Sequence, residues 1–287
     1  MRKNKNNIKR IIKKRINIIN SNNIFIENNI NDNKIYINQK NINDNLIVND
    51  VDVNNISNTY DYAYIFNNKK HNTELKTLVL ISNYMRIDML TMILNEIKEY
   101  NNIDYYIFDD RSDYVLDDNR FIVNSEHRGK HQYWKTFDEM FKMCEKSNYD
   151  VYCFIPNDFL NINFSRIFKY ASLLSEYYYV FNIINDGRLE SWTGKKSYKI
   201  SDDIYISFFT DCGFFTNRKT LEKLKFTIFP IKIKNDKMSS GVGRQLSIRL
   251  RDLKIPIFTP IRSMAFHGDH ESLMNGVERK NNKLISK

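Results

Sequence analysis

LKTLVLISNYMR, residues 75–86, is a short apolar run that passes straight into polar groups, and DYYIFDDRSD, residues 104–113, repeats the pattern. Between them, IDMLTMILNEIKEY carries Ile87, Leu90, Ile93, Leu94 and Ile97 at helical spacing, so the three segments predict a β-α-β unit. A third strand is expected in YDVYCFIPNDF, residues 149–159, which ends on Asn157 and Asp158. Buried parallel strands that end in carboxylates place them at the carboxyl edge of the sheet, where open α/β folds bind ligands. Asp109, Asp110 and Asp158 are therefore expected at one crevice.

Beyond the third strand, NFSRIFKYASLLSEYYYVFNII reads as a helix with an Asn or Ser start running into a strand. DGRLESWTGKKSYKI and DDIYISFFTDCGFF read as a loop carrying Trp192 and then antiparallel strands. RKTLEKLKF and VGRQLSIRLRDLKI are two further amphipathic helices, the second followed by the strand IPIFTPI.

The ordered set of motifs resembles the nucleotide-sugar half of a GT-A glycosyltransferase of the family-2 type. Ser82 and Arg86 match its S-x-x-x-R, Asp109, Asp110 and Ser112 match its D-D-x-S, and IPNDF matches its D-x-D metal motif with Asn157 in place of the first acid. TDCGFF, residues 210–215, is similar to the family's acceptor-side C-G segment. The stretch from Ser247 to His270 resembles its terminal helix, strand and histidine, and HGDHESLMN resembles the ending of phage-encoded glycosyltransferases.

The resemblance covers about residues 75–275. It implies a Rossmann-like α/β fold with a mostly parallel sheet flanked by helices, a nucleotide-sugar donor with a UDP-sugar first among candidates, and Mn²⁺ or Mg²⁺. Asp109 and Asp110 would bond the base or ribose, their structural alternative being caps of the following turn. Asp158 would hold the cation against the diphosphate, since oxygen ligands suit hard divalent ions. Trp192, Cys212 and Gly213 would meet the acceptor.

Two basic clusters join this set. In His127, Arg128, Gly129, Lys130 and His131, basic groups at a helix start form a candidate diphosphate cradle, with a solvated turn as the alternative; Arg128 and Lys130 are its candidate ligands. His267 and His270 flank Asp269 beyond the last strand, and His267, nearer the strand, is the candidate second metal ligand. A transferase that inverts needs a carboxylate base. The family places an E-D pair before its last helix, where this chain has Val242 and Gly243. Asp211 becomes the candidate base, SSGVGRQ reads as a glycine loop near the phosphates, and both stereochemical outcomes stay open.

The chain of 287 residues allows one domain with extensions or two small domains, and one catalytic domain with an N-terminal appendage suits the pattern best. Cys144, Cys153 and Cys212 are odd in number and lack C-x-x-C spacing, which disfavours a disulfide framework or zinc site and suits a reducing compartment. No apolar run approaches the roughly 18 to 20 residues that span a bilayer, so a cytoplasmic location is expected, that of a host if the protein is viral.

The net charge of +10 is localised, because residues 1–20 hold eight bases and no acid, leaving 36 bases against 34 acids elsewhere. Ile8, Ile11, Ile12, Ile16 and Ile19 share a face of this basic segment, which suits a polyanion or anionic membrane or a frayed tail. Residues 21–72 are Asn-rich, with IFI, KIYI and LIV suggesting short strands and a hairpin. The expected organisation is 1–20 basic segment, 21–72 accessory region, 73–275 transferase-like domain and 276–287 basic tail. The acceptor would be a glycan, a protein hydroxyl or a hydroxymethylated DNA base. The rivals are a non-catalytic binding module and a nucleotidyltransferase; SNYMRIDM lacks the Gly-rich loop of the latter.

Overall fold

A computed structural model describes residues 24–29, 34–39, 62–66, 74–185, 197–228 and 241–268. Residues 1–20 and 276–287, together with Trp192 and His270, lie outside the described residues. The chain divides into two units, Met1–Tyr60 and Asp61–Lys287. In the first, β1 (Ile24–Asn29) and β2 (Lys34–Gln39) pair antiparallel with Ile24 opposite Gln39, the hairpin that IFI and KIYI suggest.

The second unit is built on β3 (Thr77–Asn83), α1 (Ile87–Lys98), β4 (Ile103–Asp109), β5 (Phe121–Val123), α2 (Gly129–Glu145) and β6 (Val151–Pro156). Then come β7 (Phe159–Leu160), α3 (Phe164–Leu173), β8 (Val180–Asn182), β9 (Tyr198–Lys199), β10 (Ile204–Ser207) and β11 (Phe214–Thr216). α4 (Arg218–Lys223), α5 (Val242–Asp252), β12 (Ile257–Pro260) and β13 (Phe266–His267) complete it. Nine strands form one sheet in the order β5-β4-β3-β6-β11-β8-β12-β10-β9. β3, β4, β5 and β6 are parallel neighbours, whereas β10 and β11 run against the rest.

β3 is buried along its whole length, the state that a continuous apolar run, as opposed to an alternating one, encodes. Its side chains still alternate. Val79 and Ile81 join one core with Leu90, Ile93 and Ile97 of α1 and Phe164, Ile167 and Phe168 of α3. Leu78 and Leu80 join a second core with Phe137, Met140 and Phe141 of α2 and Leu246 and Leu250 of α5. The result is a three-layer α/β body. Aromatic rings reinforce each core: Phe154 stacks on Phe214 at 4.7 Å, and Phe181 on Phe215 at 4.9 Å. Among the described residues no helix is long and apolar enough to cross a membrane.

The body starts before residue 73. The helical segment 62–66 puts Ile65, 2% exposed, into the α1 and α3 core, and Phe66 meets Tyr170 and Phe258 edge-on. The glycine loop expected at SSGVGRQ is also revised, since Val242–Gln245 form the first turn of α5 and Gly241 is its N-cap at φ 64°. That left-handed value favours glycine.

Candidate active site

The chain order along the sheet turns back between β3 and β6: β4 and β5 lie on one side of β3, and β6 lies on the other. A crevice opens at the carboxyl ends of such a pair. Ser82 and Asn83 end β3 there, Asp109 ends β4, and Asn157 and Asp158 follow β6. Backbone bonds hold the three ends together, with Asp110 N donating to Asn83 O at 2.8 Å and Asn157 N to Ser82 O at 2.9 Å.

A buried amide network lies behind this edge. Asn157 Nδ2 donates to Asn83 Oδ1 at 2.7 Å, and Asn83 Nδ2 donates to Asp109 Oδ1 at 2.5 Å and to the Tyr114 hydroxyl at 2.8 Å. Asn157 is thus a donor to β3. A carboxylate there would face Asn83 Oδ1 without a proton to give, so the amide suits this position.

Asp109 is fully buried and accepts from Asn83 Nδ2, Ser112 N and Ser112 Oγ. It does not face the crevice; it orders the turn that the alternative reading anticipates. Asp110 is also engaged. Its carboxylate accepts from Arg128 N at 2.7 Å and Gly129 N at 2.8 Å, from Asn124 Nδ2 at 3.0 Å, and lies 3.1 Å from His127 Nδ1. An intramolecular carboxylate therefore occupies the N-terminus of α2, the place the sequence assigns to a diphosphate.

Arg128 is buried and directed away from that role, forking onto Glu139 at 2.6 and 2.8 Å. Lys130 lies half-buried in the first turn of α2. The ring of His127 sits 4.6 Å from that of Tyr84, tilted by 30°. Met85 at φ 54° and Arg111 at φ 63° hold left-handed backbone beside the strand ends, a strained geometry that functional sites collect.

The charged centre of the crevice is Asp158. Arg86 Nη1 donates to its Oδ2 at 3.1 Å, and His267 Nε2 lies 3.5 Å from the same oxygen. β13 pairs antiparallel with β7, setting His267 opposite Phe159, while Gly268 N donates to Asp158 O at 2.7 Å. Residues separated by more than a hundred positions are thereby joined. A divalent cation taking one or two protein ligands and completing its shell with phosphate oxygens and water fits this pair. Asp158 and His267 would hold it. Among the described residues no group of three or more His, Cys, Asp or Glu forms a larger cluster.

The segment expected at the acceptor, residues 210–215, leads into β11. Asp211 is exposed and its Oδ1 accepts from Cys212 N at 2.9 Å. Burial, followed by the Asp211 charge, pushes the Cys212 thiol well above its usual range, so it stays a neutral thiol. Gly213 packs on Phe159, with a Cβ there falling 2.2 Å from the ring; the glycine lets the backbone before β11 approach that ring. Gly243 has the same character. A Cβ on it would lie 2.5 Å from Thr210 O and 3.2 Å from Asp211 Cα. The space beside Gly243 is filled by the loop that carries Asp211.

Tyr133 is the group that the sequence does not single out. From α2 its hydroxyl meets Ser82 Oγ at 2.5 Å. Burial raises its pKa well above the usual tyrosine range, Cys212 adds to this, and Asp158 and Asp211 act in the same direction. Its phenol therefore lies in the field of both candidate carboxylates.

No family model matches the chain, and no curated protein does. Solved structures do. One is a mannosyltransferase, PcManGT from Pyrobaculum calidifontis, solved in complex with GDP-Man and Mn²⁺. The TM-score is 0.37 at 12% identity, covering 65% of this chain and 57% of the other. This chain thus spans little more than half the length of that structure, and a likeness at this level bears on neither activity nor ligand.

Proposed function

We propose that the protein is a GT-A-type glycosyltransferase that moves a sugar from a nucleotide-activated donor to a hydroxyl, with a divalent cation at Asp158 and His267. The observation that carries the reading is the convergence of Asp158, Arg86, His267 and Ser82 at the β3–β6 switch point, with Asp211 approaching from β11. A diphosphate needs positive charge, and Arg86 would supply it together with the cation, beside the carboxylate that would hold that cation. When bound, the cation would neutralise charge on the departing diphosphate. Asp211 is exposed and fit to take the acceptor's proton. The acceptor is a hydroxyl on a glycan, a protein or a hydroxymethylated base in DNA.

Asp109, Asp110 and Arg128 enter this reading as supports. Asp109 fixes Asn83, Asp110 fixes the start of α2, and Arg128 ties that start to Glu139. A second reading, a binding module without turnover, is favoured by Val242 and Gly243 standing where the resembled enzymes carry acids. A thermal-shift screen of UDP-, GDP- and CDP-sugars, with and without Mn²⁺, tests both. Stabilisation by one nucleotide that depends on Mn²⁺ supports the site, and donor turnover separates the transferase from the module. Stabilisation by none of them would overturn the donor reading.

A further inference from the structure

We propose that Tyr133 and Ser82 form a hydroxyl pair that donates a hydrogen bond to the phosphate oxygen leaving with the nucleotide. This rests on the donor reading above and assigns a further group to that donor. Two hydroxyls 2.5 Å apart carry two protons, of which one lies within the pair. The second has no acceptor among the described residues. It belongs to a pair at the end of β3, beside the switch point, where Ser82 is opposite Pro156 of β6 and the chain then runs on to Asp158.

The phenol is fixed in place. Its ring meets Phe137 edge-on at 5.2 Å, and Phe137 stacks on Phe154 of β6 at 5.8 Å. Tyr133 and Cys212 pack against the same core, and Asp158 and Asp211 both act electrostatically on the phenol. Burial, with the Asp158 and Asp211 charges acting the same way, keeps the phenol protonated and outweighs the opposite effect of the Ser82 hydrogen bond. A neutral donor in a crevice that already holds two carboxylates offers an acceptor oxygen a bond without adding negative charge.

In the transfer, the bond from the anomeric carbon to the diphosphate oxygen breaks, and its electron pair stays on that oxygen. The acceptor oxygen forms the new bond to carbon and gives its proton to Asp211. Tyr133 keeps its own proton throughout, and the hydrogen bond strengthens as the phosphate oxygen gains charge.

The test uses the full chain and Tyr133→Phe, which removes one oxygen and retains the ring contact with Phe137. Titration calorimetry reads the Kd of a nucleoside diphosphate, and hydrolysis of the nucleotide-sugar reads kcat and KM. Loss of a bond to a charged oxygen predicts Kd weakened about 10-fold. Loss of a transition-state donor predicts kcat lowered about 100-fold, with KM changed by less than about 3-fold. Ser82→Ala leaves the phenol to donate alone and is expected to lose less, about 10-fold in kcat.

An unchanged kcat in Tyr133→Phe overturns the proposal. So does a loss of kcat matched by a fall in Tm that Ser82→Ala reproduces in full, since that is a packing effect. Wild-type protein that binds no nucleoside diphosphate with Mn²⁺ present overturns the donor reading itself, a separate outcome from binding that Tyr133→Phe leaves intact.

Discussion

At the scale of single residues, the two glycines nearest the acceptor segment explain more than their lack of chemistry suggests. Gly243 is where α5 meets the loop bearing Asp211, and a Cβ there would stand 2.5 Å from Thr210 O. Backbone cannot yield as a side-chain tip can. Gly243→Ala is expected to lower stability by about 1–3 kcal/mol and to displace Asp211, so that turnover falls even at temperatures where the variant is folded. Denaturant melts with parallel donor hydrolysis would show it; equal stability and activity would mean that the contact relaxes freely. The sequence shows a glycine at this position. It does not show that another loop fills the space, because Thr210 and Gly243 lie far apart in the chain and nothing local announces their contact.

Elements differ in how openly the sequence declares them. α1 is legible because its apolar residues form one stripe, and β3 because an unbroken apolar run bounded by polar groups suits a strand buried on both faces. The segment 62–66 carries Tyr62, Ile65 and Phe66 at helical spacing, yet its Asn-rich surroundings mask it. The role of Asp110 is hidden by distance, since it caps a helix that starts nearly twenty residues later. Tyr133 escapes notice because an aromatic residue in HQYWKTFDEMF reads as packing.

The approach to β5 offers a test of electrostatics. Hydrogen bonds from Arg120 hold the Asp118 carboxyl well below the usual carboxylate range, and Tyr105 also donates to it at 2.8 Å. A depressed folded pKa means that this stabilisation is complete above the ordinary value, about pH 4, and is lost as pH falls below it. Arg120 is partly exposed, so Asp118→Asn is expected to cost only about 0.5–1 kcal/mol at pH 7. The difference from wild type should shrink in melts below about pH 4. A constant difference across that range would rule out the ion pair as its source.

At the largest scale, the second unit joins two cores and one nine-stranded sheet whose strand order turns back between β3 and β6. The strands β3, β4 and β6 and the acids at their carboxyl ends follow from readable patterns; the order of the nine strands and the partners of each acid do not. Asp109 and Asp110 are consumed in holding the edge together, and Asp158, itself buried, meets Arg86 and His267. The central claim is that this carboxylate anchors a cation that carries a nucleotide diphosphate. Titration calorimetry of the nucleotide-sugar selected by the thermal screen, on wild type and Asp158→Ala, with and without Mn²⁺, tests it most directly. The account predicts that Mn²⁺ tightens binding to wild type at least about 10-fold, a coupling of about 1.4 kcal/mol, and leaves binding to Asp158→Ala unchanged while that variant melts within a few degrees of wild type. Equal Mn²⁺ enhancement in both proteins would contradict it.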